Sequence, residues 1–83
     1  MTWSRSEIRQ ARQIPLKPLL LKMGYRLEAV KNGNYLVHGL LYEIVIKENY
    51  WVCTENDTAG NSIDFLVKIK GMTFYKAMDL LLS

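Results

Sequence analysis

One cysteine, one histidine and two prolines are all that these 83 residues hold of the residue types that most often staple, ligate or interrupt a small domain. With Cys53 alone no internal disulfide can form, and a reduced, cytoplasmic compartment is the natural expectation. No apolar run approaches the ~20 residues of a membrane span, and the amino terminus is polar and charged rather than signal-like. Phosphate-loop and dinucleotide glycine motifs are missing. Catalytic groups are equally sparse. His38 and Cys53 formally offer a nucleophile pair, but a lone thiol on an apolar strand is ordinarily an inert core residue, so the chain reads as non-catalytic.

What is present is ordinary globular material, 49% hydrophobic and 23% charged, which argues against disorder. The length suits a single domain spanning residues 1–83. Its net charge of +3 is unevenly spread. Residues 1–31 carry seven basic side chains (Arg5, Arg9, Arg12, Lys17, Lys22, Arg26 and Lys31) against Glu7 and Glu28. Residues 32–83 carry four basic against six acidic. A basic amino-terminal third suggests an anionic partner there; a merely solvated helix face is the competing explanation.

Local patterns predict the elements. Ser4 followed by Glu7 resembles a capping box and opens a helix to about Arg12, with Arg5, Arg9 and Arg12 on one face. Pro15 suits the first turn of a second helix, Leu16, Leu19, Leu20 and Met23 give it an apolar stripe, and Gly24 suits its end. Asn32-Gly33 predicts a type I′ turn joining strands near 25–31 and 34–38. A second hairpin alternates Tyr42, Ile44 and Ile46, turns at Glu48-Asn49 and returns through Tyr50–Cys53. The polar stretch 54–61 is expected to be a loop. Asn61 caps a helix that Gly71 ends, and Thr73 caps the last one. The expectation is an α+β domain: an antiparallel meander of about four strands, zinc-ribbon-like, between two amino-terminal and two carboxyl-terminal helices. Ile63, Phe65, Leu66, Phe74 and Met78 are expected to join the last two helices to the sheet. Gly60-Asn61-Ser62 could offer backbone N–H groups to a phosphate, but Asp64 in the same turn would repel an anion, and capping is the better explanation.

The succession Trp51-Val52-Cys53, Gly60-Asn61-Ser62-Ile63-Asp64-Phe65-Leu66-Val67 and Gly71-Met72-Thr73-Phe74 with Ala77 resembles the zinc-binding domain at the amino terminus of bacterial DNA primases. The resemblance is firmest over residues 50–82 and closest to a variant in primase-like, Toprim-containing proteins of mobile elements. In that family a Cys-x2-His pair and a Cys-x2-Cys pair hold zinc. Their positions fall here on Tyr35, His38, Cys53 and Asn56, so half the N/S ligands are gone and zinc is expected to be absent. A metal shared between two chains through His38 and Cys53 is the weaker alternative.

The resemblance implies a DNA-binding accessory domain working beside a downstream Toprim, primase or helicase domain, with single-stranded DNA as partner. The parent protein would then be a primase-like nucleotidyltransferase. Single-strand binders join a cationic groove to aromatic platforms. The candidates are Arg5, Arg9, Arg12, Lys17, Arg26, Lys31 and Lys47 for phosphates, and Tyr35, Tyr50 or Trp51 for stacking. The alternative is a protein-docking module that keeps the fold without nucleic-acid contact.

Overall fold

The computed structural model describes residues 2–83. Helix α1 (Arg5–Arg12) begins with the expected capping box. The Ser4 hydroxyl accepts from Glu7 N–H at 3.1 Å and Glu7 Oε1 accepts from Ser4 N–H at 2.9 Å. Helix α2 (Leu16–Lys22) starts after Pro15 and buries Leu16 and Leu20. It ends in a paired closure around Gly24 (φ 94°), with Tyr25 N–H donating to Leu20 O at 3.0 Å and Gly24 N–H to Leu21 O at 3.1 Å. Positive φ is the reason glycine stands there.

Five strands follow: β1 (Arg26–Ala29), β2 (Tyr35–His38), β3 (Ile44–Lys47), β4 (Tyr50–Cys53) and β5 (Thr58–Gly60). They form one antiparallel sheet in sequential order. The fifth strand is a correction, since 54–61 was expected to be loop. Only 54–57 turns; Thr58, Ala59 and Gly60 pair with Cys53, Val52 and Trp51. Ala59 and Gly60 have little strand preference of their own, and the open edge of β4 supplies the partners that recruit them.

The first hairpin also departs from its expected form. Asn32 and Gly33 both take positive φ, 63° and 75°, as a type I′ turn requires. Yet the strands close as Ala29↔Tyr35 and Leu27↔Val37 around a three-residue loop, Lys31–Gly33. A two-residue loop would set Leu27 opposite His38 and send one of them to the wrong face. The observed register pairs two apolar residues, and burial outweighs turn preference.

Alternation along the strands puts Val37, Ile44, Ile46, Trp51 and Cys53 on the buried face. The opposite face carries Leu36, Val45, Val52 and Ala59 as one cross-strand row, all half-buried. Helix α3 (Ser62–Asp64), capped by Asn61, runs into a π-helical segment, Phe65–Ile69, closed by Lys70 N–H donating to Phe65 O at 3.2 Å. Helix α4 (Phe74–Leu82) starts at Thr73, whose hydroxyl accepts from Lys76 N–H at 3.1 Å. Ile63, Phe65, Leu66 and Met78 lie in the core as expected, with Ala77 and Leu81. Phe74 does not: it is 45% exposed. It occupies the first position of α4, in an open groove with Ile8 and Val67, while Ala77, Met78 and Leu81 along the stripe pack inward. Among the described residues no helix is long and apolar enough to cross a membrane.

Candidate nucleic-acid interface

The link between α1 and α2 is tied to one end of the sheet. Asn49, in the β3–β4 turn, donates its side-chain N–H to Arg12 O at 2.7 Å, and Leu16 N–H donates to Glu48 O at 2.8 Å. The Ser62 hydroxyl donates to Ile14 O from the start of α3. In a sequential meander the β1–β2 and β3–β4 turns share an end, so Lys31 and Lys47 lie at the end to which Arg12 is tied. Lys17 joins them. Its ammonium donates to the Tyr35 hydroxyl at 2.9 Å and lies 4.4 Å from that ring's centroid, and Tyr35 stands opposite Ile46. Arg12, Lys17, Lys31 and Lys47 therefore gather at one end, with Glu48 the acidic neighbour. Arg5 and Arg9, both exposed, extend the series along α1. Arg26 stands apart, at the far end of β1 opposite His38.

None of these cations is neutralised. Among the described residues the one ion pair joins His38 Nε2 to Glu28 Oε1 at 2.8 Å. Several carboxylates are committed elsewhere: Glu7 to the cap of α1, Asp64 to the Asn61 N–H at 3.1 Å, and Glu55 to the Glu43 N–H at 2.7 Å. The hydrogen bonds from the Ser4 backbone and hydroxyl hold the Glu7 carboxyl below the usual carboxylate range, because they favour its charged form. Glu7 thus serves the helix start and leaves the three arginines unpaired.

The aromatic candidates sort clearly. Trp51 is fully buried, and its indole N–H donates to Asn61 O at 2.9 Å. It is a core residue and offers no face to a base, which corrects its place among the candidates. Tyr35 is half-buried on the core face with Lys17 over its ring. Tyr50 is 52% exposed and pairs across strands with Lys47, which sets an open ring beside a free ammonium.

The four positions of the implied metal site do not converge. Tyr35 and Cys53 face the core from opposite ends of β2 and β4, with β3 between them. His38 faces outward, bound to Glu28, and Asn56 sits in the exposed β4–β5 turn. This donor set does not fit a tetrahedral ion. Cys53 is fully buried, so it cannot contribute to a site shared with a second chain either.

Sequence reasoning missed Asn49, whose amide fixes where Arg12 lies; a polar turn residue gives no sign of a contact 37 positions away. Comparison with models of known protein families gives no match, and neither does comparison with curated proteins.

Proposed function

We propose that this domain binds single-stranded DNA, without catalysis of its own, as a primase-type zinc-finger domain that has lost its metal. The observation that supports this reading is a set of cations in no ion pair, Arg5, Arg9 and Arg12 on α1 with Lys17, Lys31 and Lys47 towards the sheet end, beside the open ring of Tyr50. Single-strand binders need that pairing of phosphate-tracking charge with an aromatic face. The same reading puts the domain in the cytoplasm, within a primase-like replication protein of a mobile element beside a Toprim or helicase domain. Binding should be strongly salt-dependent, with log affinity falling by about 0.7 per phosphate contact per unit of log salt.

A second reading, a protein-docking module, is favoured by α4, which leaves Tyr75 and Leu80 exposed. A salt series with a short oligonucleotide separates the two: an apolar docking surface hardly responds to salt, and it leaves the oligonucleotide unbound.

A further inference from the structure

A groove of about 360 Å³ lies where α1, α3 and α4 meet, lined by Ile8, Arg12, Asp64, Val67 and Phe74 among others. Its composition is unusual for a gap between helices. Ile8, Ile63 and Val67 give it an aliphatic part. At one side stands the Phe74 ring, 45% exposed and in no aromatic pair among the described residues. At another stands Arg12, unpaired although Asp64 lines the same groove, because the Asp64 carboxylate is held by the cap of α3. The exposed ring and an unpaired cation on the α1 face that also carries Arg5 and Arg9 thus line one groove.

We infer that this groove takes one nucleobase of a bound strand, stacked on Phe74, with Arg12 on the adjoining phosphate. The inference rests on the single-strand reading and adds to it a specific base platform. A planar ring covers the phenyl face, Ile8 and Val67 offer it apolar contact, and the guanidinium draws the phosphate to its own side of the groove against the repulsion of Asp64. A protein side chain would use the apolar part and leave Arg12 idle; a nucleotide uses both.

The test is the affinity of the full chain for a short single-stranded oligonucleotide, compared across Phe74→Ala, Phe74→Trp and Arg12→Ala. Phe74 is exposed, so its replacement leaves the fold intact, which circular dichroism checks. Phe74→Ala should weaken binding about tenfold, as loss of one base–aromatic stack requires, and leave the salt slope unchanged. Phe74→Trp should restore affinity, and Arg12→Ala should lower the slope by about 0.7. Saturable shifts of the Phe74 ring resonances on titration with a deoxynucleoside 5′-monophosphate would support the groove even if longer strands bound poorly. Wild-type affinity in Phe74→Ala, in a protein that still binds strands with a steep salt slope, overturns this groove and leaves the wider proposal standing. Failure of both the oligonucleotide and the monophosphate to bind overturns both.

Discussion

Trp51 meets Phe65 edge to face, ring centroids 6.2 Å apart and planes at 78°, and this contact joins the central sheet to the π-helical segment. Both rings are fully buried, so each contributes packing that the surroundings cannot replace. Phe65→Ala is expected to cost about 3–5 kcal/mol, a large share of the stability of so small a domain. Trp51→Phe keeps an aromatic ring and loses the N–H bond to Asn61 O, whose oxygen still accepts from Phe65 N–H at 2.9 Å. With the lost hydrogen bond and the small cavity left by the shorter ring it should cost about 2 kcal/mol, less than Phe65→Ala. Chemical denaturation of both variants checks the order; a Phe65→Ala protein as stable as Trp51→Phe would contradict it.

Gly60 is required by contact rather than by backbone conformation. A Cβ there would lie 2.5 Å from Asp64 Oδ2 and 2.6 Å from Asp64 Cβ. Gly60→Ala must push Asp64 away from the Asn61 N–H and open the cap of α3, costing about 1–3 kcal/mol from overpacking. Thermal unfolding should fall by at least several degrees; an unchanged midpoint would show that Asp64 moves freely.

The cap of α1 gives a pH signature. Glu7 has a lowered pKa in the folded chain, so its contribution is complete above the ordinary glutamate value of about 4.3 and is lost as pH falls through the lowered value. Amide exchange in the first turn of α1 should quicken in that acid range while the sheet stays protected. Ser4→Ala removes the hydroxyl but keeps the backbone N–H that is the larger cause, so it should move the Glu7 titration only part of the way back, read by NMR; a Glu7 that titrates normally in the wild type would contradict the cap's role.

Much of the fold was legible because its signals are local. Ser4, Asn61 and Thr73 cap the helices they were expected to cap, Gly24 and Gly71 close their ends with positive φ, and alternation in 44–53 identified the buried strand faces. Signals that depend on a partner were not legible. β5 exists because β4 has a free edge, and the loop length of the first hairpin follows from matching Leu27 to Val37. The π-helical segment has no signature in the residues Phe65–Ile69. Phe74 obeys the helical stripe yet stays half open in the groove between α1, α3 and α4. The basic character of α1 was visible in the sequence. Its continuation towards Lys17 and the first hairpin was expected too, but the bonds from Asn49 and to Tyr35 that place Arg12 and Lys17 there were not legible.

The most direct test of nucleic-acid binding is the salt dependence of affinity for a short single-stranded DNA, measured for the wild type and for the triple variant Arg5→Ala, Arg9→Ala, Arg12→Ala. These side chains are exposed and unpaired, so the fold should be unaffected. The account predicts weaker binding to strands of every sequence and a slope of log affinity against log salt shallower by about two units, as three lost phosphate contacts require. Unchanged affinity and slope in a folded triple variant would contradict it.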